Sequence, residues 1–573
     1  MLKIGILSRG AGKQQYGLGL DAKLMELTLR ELVATGKSKL SISHKDPYMF
    51  MEEMPIDVYI HLEIPCRLAF PLAKVNIVVP NPEWWCKAEW AWVEREPSVV
   101  MFHKTQHSAM LFESKCSSFV TGWRCPISEG LSTTPKSDQF LFIVGGSKHK
   151  RAALDTIVKF WKPEFNKLII IASESGDTTK QNVEWVTKYI TNQEKQKLLS
   201  QSKYHIVASF AEGFGYTMAE SVSYGAKILW TDIPVYKEIW GKLLGDYGVI
   251  KTDLVCESES PMLDKVRNFS EVSLLEAMSQ IDKQSYLKHS EYINTLNKNF
   301  RSEFYNAWRI VEKRVKKADD LKIPPIPKEG SLPVIGVVTL VYNRPQWFIH
   351  AVRNIETSQY PRNKIVWVIV DDSESSKRVD ISLEKVRLGL PELCIKYVSL
   401  SKKTPVGEKR NIGCLAAIET NGDVDAFAFM DDDDHYPPES LNRRVMWLYG
   451  SGAGAIYCAT LPMYDTCKYI SAMNVPPLDL SPCMRVSEAT LCFKRNFWEL
   501  RGFPKTMDVG EGEGFLVKRE NESMEINPRG VIVSFLHNKN LTSRRIPENK
   551  EANGCHYGFS DEYFTMISQL GSA

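Results

Sequence analysis

Ala426-Phe-Ala-Phe-Met430-Asp431-Asp-Asp-Asp434-His-Tyr-Pro-Pro438 reads as a buried strand that ends abruptly in four adjacent carboxylates. Like charges at that spacing repel, and beside a core strand they are costly unless a cation neutralises them. Hard oxygen ligands favour magnesium or manganese. A metal held there can bridge two phosphates and stabilise a departing nucleoside diphosphate. The plainer alternative is a solvated acidic loop.

Working outward, the preceding segments are Val337-Val-Thr-Leu-Val-Tyr342-Asn-Arg-Pro, Trp367-Val-Ile-Val-Asp371-Asp372-Ser and Pro405-Val-Gly407-Glu-Lys-Arg410-Asn411-Ile-Gly413. In this order, and over about 331–540, they resemble the GT-A glycosyltransferases of family 2. The resemblance implies that Tyr342 lines a nucleotide base, that Asp371 or Asp372 hydrogen-bonds it, and that Arg410 lies near the uridine or diphosphate. It implies Asp431 at ribose or metal, Asp433 on Mn2+ or Mg2+, and a UDP-sugar as donor.

Family 2 enzymes of this kind invert the anomeric centre by direct displacement, which needs a carboxylate to take the acceptor proton. The family supplies it from a Glu-Asp pair after a Trp…Gly-Phe segment. The matching stretch is Phe497-Trp498-Glu-Leu-Arg-Gly502-Phe503, then Val509-Gly510-Glu511-Gly512-Glu513-Gly514-Phe515. Gly512 stands in place of the Asp, so the resemblance passes the duty to Glu511 or Glu513, with Glu511 favoured. Val533-Ser-Phe-Leu-His537 resembles a late family segment and makes His537 a diphosphate or metal contact, against a buried hydrogen-bonded histidine.

The first half alternates strands with helices. Lys3–Leu7 opens it, followed by a glycine-rich turn (Gly10, Gly12, Gly17, Gly19) and a helix to about Thr35 with Leu20, Leu24 and Leu27 on one face and Gly36 as its stop. Strands are expected at 57–61, 75–79 and 98–102. A second alternating set is expected at 139–145, 168–172, 204–208, 227–230 and 248–250. Between them stands Ser209-Phe-Ala-Glu212-Gly-Phe-Gly215-Tyr-Thr-Met-Ala-Glu220. Its glycines let backbone amides approach a phosphorylated donor at the positive end of a helix. The run resembles the glutamate signature of retaining GT-B glycosyltransferases of family 4. That resemblance puts Glu212 and the amides of Gly213, Phe214 and Gly215 on the donor sugar, and Glu220 on the ribose. The basic pair that the family places on the donor diphosphate falls on Lys148, Lys150 or Arg151, because Ser147 replaces the usual Arg. His103 and the aromatic loop Pro80-Asn-Pro-Glu-Trp-Trp85 are weaker cleft candidates. The donor nucleotide expected for this half is UDP or GDP, with no metal expected.

Lys322-Ile-Pro-Pro-Ile-Pro-Lys-Glu-Gly-Ser-Leu-Pro333 carries four prolines in twelve positions and favours an extended spacer. Before it, 283–321 has helical spacing studded with aromatics. The expected organisation is α/β throughout: a GT-B unit of two Rossmann-like lobes, 1–130 on the acceptor side and 131–282 on the donor side. Then come the helical segment 283–321 packing back on that unit, the linker 322–333 and a GT-A domain, 334–573.

Among 573 residues, 72 Lys and Arg against 69 Asp and Glu leave a net charge of +3, which disfavours nucleic acid as a partner. No apolar run approaches the length of a membrane span, and the N-terminus reads as a strand. The 12 cysteines contain no Cys-x-x-Cys pair, as expected of reduced thiols in a cytoplasmic chain. The leading expectation is a bifunctional glycosyltransferase making consecutive linkages on an oligosaccharide or glycoconjugate. The alternative keeps only the GT-A unit catalytic, with the first half binding or scaffolding a glycan. A dinucleotide-dependent oxidoreductase is disfavoured, because Gly10–Gly19 lacks the Gly-x-Gly-x-x-Gly spacing.

Overall fold

The computed structural model describes residues 1–8, 17–45, 55–85, 87–94, 96–112, 116–126, 136–145, 147–257, 265–284, 289–319, 323–476, 480–537 and 557–572. The chain is a mixed α/β protein built as two compact units. Unit 1 holds Met1–Lys45, Ile56–Cys66 and Ala73–Asp319; unit 2 holds Asp320–Ala573 and takes in the short segment Arg67–Leu72.

Unit 1 contains two six-stranded parallel sheets. In the first, Leu40–Lys45, Leu2–Leu7, Ile56–Glu63, Ala73–Pro80, Val99–His103 and Ser117–Val120 lie side by side in that order. In the second the order is Val249–Ile250, Lys227–Thr231, Ser202–Val207, Ser137–Gly145, Leu168–Ala172 and Val183–Val186. The central strands are apolar runs because helices cover both faces of a parallel sheet. Helix Gly17–Ala34 stops where expected: Gly36 sits at φ 70°, its N–H donates to Val33 and that of Lys37 to Leu32. Two details differ. Gly17 and Gly19 belong to the helix, while Gly10 and Gly12 lie outside the described residues. The buried face runs through Met25, Leu29 and Leu32, leaving Leu27 39% exposed. Helix His289–Lys317 buries Ile293, Phe300, Phe304, Trp308, Val311 and Val315 into the core of the first sheet.

Unit 2 is built on a seven-stranded sheet. Cys394–Ser399, Ile365–Asp371, Val334–Val341 and Val424–Phe429 run parallel; Ser487–Lys494, Ala455–Cys458 and Ser523–Glu525 complete it, with Ser487–Lys494 antiparallel to Val424–Phe429. A second sheet joins Ile470–Asn474, Leu461–Asp465 and Ser534–Leu536. Among the described residues no helix is long and apolar enough to cross a membrane.

Candidate functional site

The site of unit 2 follows from strand order. Val334–Val341 has Ile365–Asp371 on one side and Val424–Phe429 on the other, in matched parallel register. Connections leave such a point in opposite directions and open a crevice at the carboxyl ends of the strands. Those ends carry Tyr342 to Arg344, Asp371 and Asp372, and Asp431 to Asp434. Helix Val406–Thr420 closes against the same strands, and a Cβ at Gly413 would run into Val338. That approach buries Lys409 and Arg410 beside the crevice.

Asp371 is fully buried. It accepts bonds from the Ser373 and Val379 amides at 2.8 and 3.1 Å and from the Tyr397 hydroxyl at 2.9 Å. Its carboxylate shapes the turn after its own strand. Asp372 pairs with Lys409 Nζ at 2.8 Å and accepts the Thr404 amide at 2.9 Å. Tyr342 is half-buried with the ammonium groups of Lys403 and Lys409 at 5.1 and 5.8 Å from its ring centre.

The acidic loop differs from the expectation in one respect: protein cations already neutralise much of it. Asn343 adopts the left-handed conformation at φ 52° and turns the chain so that Arg344 reaches back over the loop. Arg344 binds Asp432 at 2.6 Å and also clamps Asp433. His537 Nε2 lies 3.1 Å from the same Asp433 oxygen, its ring stacked on Trp347. Burial alone would raise the pKa of Asp433, but Arg344 and His537 overcome it and hold that carboxyl well below the usual range. Burial wins at Asp432, whose pKa is raised. Asp434 is structural, accepting the Phe535 amide at 3.0 Å.

At the other edge of the loop, Arg410 donates to Glu511 Oε1 at 2.9 Å and lies 3.6 Å from Asp431 Oδ1. Glu511 opens helix Glu511–Leu516, whose entry turns at Gly510 with φ 74°. Arg410, Asp431 and Glu511 thus converge, and Glu513 follows on the same short helix. Arg344 went unnoticed in sequence, although it stands two residues past Tyr342 in a quoted motif.

No group of three or more His, Cys, Asp or Glu among the described residues could hold a metal ion. An ion bridging a nucleotide needs only one or two carboxylates plus substrate phosphates. Asp431 Oδ1 is buried and makes no hydrogen bond within the protein, so the donor chemistry fits such an ion.

In unit 1 the strand order reverses between Ser137–Gly145 and Ser202–Val207, and the two motifs leave from those ends. Ser147 caps helix Lys148–Phe160. Lys150 Nζ lies 3.1 Å from Glu212 Oε1, Lys195 Nζ lies 2.6 Å from Glu220, and the Lys148 ammonium faces Trp84 at 5.7 Å. Arg151 turns elsewhere, donating to the Glu174 carbonyl at 3.0 Å. A Cβ at Gly213 would strike the Asn81 carboxamide, and Gly215 sits at φ 87° against Tyr236. Phe214 is buried in the core between them. Buried His103 contacts Ser108 Oγ at 3.0 Å, and burial lowers its pKa to about 4.

In sequence the 80–85 loop stands out by its aromatics, which could stack on an acceptor sugar or simply pack. Glu83 within it is buried, and burial, reinforced by Glu212 and Glu63, pushes its pKa up to about 8. The folded chain therefore holds a proton that the unfolded chain releases from about pH 4.5 upward. Stability from this group falls by about 1.4 kcal/mol per pH unit as pH rises from there to 8. Glu83→Gln, which mimics the protonated form, should flatten that slope in denaturant titrations of unit 1 at pH 5.5 and 7.5. An unchanged slope would show that the proton sits elsewhere.

Comparison with known proteins adds the family. Residues 336–477 match glycosyl transferase family 2. The match is confined to that segment. It covers the ends of Val334–Val341, Ile365–Asp371 and Val424–Phe429, and so Tyr342, Asp371, Asp372, Arg410, Asp431 and Asp433. No curated protein matches the chain in sequence. Among solved structures the chain is similar to a mannosyltransferase from Pyrobaculum calidifontis in complex with GDP-Man and Mn2+, with 19% identity and a TM-score of 0.28, covering 41% of this chain and 64% of that one. It is also similar to S. aureus TarS 1-349, with 14% identity and a TM-score of 0.28, covering 35% of this chain and 60% of that one. The chain thus spans less than two thirds of each of these relatives.

Proposed function

We propose that this chain is a bifunctional glycosyltransferase that builds consecutive linkages on an oligosaccharide or glycoconjugate acceptor in the cytoplasm. The observation that carries the reading is the convergence of Arg410, Asp431 and Glu511 at the crevice of a family 2 glycosyltransferase domain. In this reading unit 2 is a GT-A domain over 334–573. It takes a UDP-sugar against Tyr342, Asp371 and Asp372 and inverts the anomeric centre. Asp431 and Asp433, with His537 beside them, would hold Mn2+ or Mg2+, which supplies positive charge for a leaving diphosphate. A carboxylate near the Glu511 turn takes the acceptor proton.

Unit 1, in the same reading, is a retaining GT-B transferase with lobes at 1–130 and 131–282, completed by 283–321 and followed by the 322–333 linker. Lys148, Lys150 and the amides at Gly213 to Gly215 neutralise the diphosphate of a UDP- or GDP-sugar without a metal. Glu212 and Glu220 hold the sugar and ribose. The tether keeps the product of one unit near the other. A second reading, in which unit 1 only binds a glycan, draws on one observation: Glu212 and Glu220 are already held by Lys150 and Lys195.

The test is a screen of UDP- and GDP-sugars with oligosaccharide acceptors, using the full chain and reading anomeric configuration in each product. Two transfers are expected, one inverting and stopped by EDTA, one retaining and indifferent to it. Glu212→Gln should remove the retaining transfer and leave the inverting one within about twofold. If only the inverting transfer exists and Glu212→Gln changes nothing, the second reading holds; no sugar transfer of any kind would sink both.

A further inference from the structure

Of the two glutamates that the sequence pattern offers as base, Glu511 or Glu513, the favoured one is tightly held. Glu511 is 4% exposed and its Oε1 is taken by Arg410 at 2.9 Å. Its role in this geometry is to hold the Arg410 guanidinium beside Asp431. The next residue, Gly512, has no side chain, and the space that a Cβ would occupy is filled from another element. A Cβ built there would lie 2.8 Å from Glu488 Cγ and 2.9 Å from its Oε1. The Gly512 amide donates to Glu488 Oε1 at 3.3 Å, orienting the carboxylate across the start of the helix.

Glu488 belongs to Ser487–Lys494, the strand antiparallel to the one that ends in the acidic loop. Its neighbour is tied to that loop. The Asp431 amide donates to the Tyr436 hydroxyl at 2.9 Å, and that hydroxyl donates to the Ala489 carbonyl at 3.0 Å. Glu488 is also within electrostatic reach of Arg410. Glu488 is half-buried, where Glu511 is sealed.

We propose that Glu488 is the catalytic base of unit 2, supplying from the neighbouring strand the carboxylate that Gly512 lacks. This rests on the glycosyltransferase reading of unit 2. As the acceptor oxygen forms its bond to the anomeric carbon, the bond from that carbon to the diphosphate breaks and its electron pair leaves on the phosphate oxygen. The acceptor proton passes to the Glu488 carboxylate. Arg410 and Glu511 position the helix and Asp431 around that event.

Three measurements on the full chain test it: kcat for the inverting transfer from a UDP-sugar with Mn2+, its pH profile, and calorimetric binding of UDP with Mn2+. Glu488→Gln should lower kcat by roughly 10²–10⁴-fold and remove the acidic limb of the profile, while UDP affinity stays within about threefold. Rescue guards against a merely structural effect. Glu488→Ala clears the space over Gly512, so Glu488→Ala with Gly512→Asp should regain at least about tenfold over Glu488→Ala alone. Glu488→Gln with kcat within about threefold of the parent overturns the assignment. So does loss without rescue, with Glu511→Gln or Glu513→Gln showing the loss of the acidic limb instead. A parent chain that binds UDP and transfers nothing would indict the glycosyltransferase reading and not Glu488.

Discussion

Replacing Arg410 with alanine is expected to destabilise unit 2 by about 3–5 kcal/mol and to abolish its sugar transfer. The guanidinium is 3% exposed, lies 4.2 Å from the centre of the Phe429 ring and joins Glu511 to Asp431. Without it buried Glu511 and half-buried Asp431 share that corner with no cation between them. Burial already raises the pKa of Asp431 with Arg410 present. In the variant the Asp431 carboxyl moves further in that direction, so it is protonated in the folded chain at pH values where the unfolded chain has released its proton. The sign follows: the deficit should grow as pH rises through the carboxylate range and shrink toward acid. Arg410→Lys keeps the charge but not the fork that spans both partners, so it should recover part of the stability and little of the transfer. Urea titrations of the unit 2 transition at pH 5 and 8 give the comparison. A variant within about 1 kcal/mol of the parent at pH 8 would mean that the pair is not the internal support described here.

How far such a site can be read from sequence depends on how local its causes are. Leu168–Ala172 is legible to the residue because a strand buried on both faces must be a continuous apolar run. Leu40–Lys45 and Ser117–Val120 are not, since half-exposed strands with polar residues make no such run, and the four residues Val183–Val186 are broken by Glu184. Tyr342, Asp372 and Asp431 to Asp433 were legible as a group because each follows the end of a strand. Their pairings were not. Arg344 meets Asp432 across 88 positions, and Glu488 meets Gly512 across 24. Neither distance has a period, and only the sheet order brings the partners together. The carboxylates Asp431 to Asp434 do draw a cation, and Arg344, nearly ninety positions away, is one that nothing local in the sequence pairs with them.

That arrangement predicts the second large effect. If unit 2 transfers sugar as proposed, Asp433→Asn should lower that transfer by roughly 10²–10⁴-fold, because Lewis-acid stabilisation of a leaving phosphate would be worth several kcal/mol. EDTA should do the same to the parent chain. Arg344 makes the experiment sharper, since its guanidinium occupies the Asp433 oxygen that faces His537. In the proposed reading a divalent ion would have to compete with it for that carboxylate. Arg344→Gln should therefore destabilise unit 2 in EDTA by a few kcal/mol, leaving Asp432 and Asp433 buried without their counter-charge. Added Mn2+ should restore more of the midpoint in this variant than in the parent, by mass action on a site freed of its internal cation. The melting shift with Mn2+ would then rank Arg344→Gln above the parent and the parent above Asp433→Asn. Equal shifts in all three would place the ion away from Asp433, whatever the activities show.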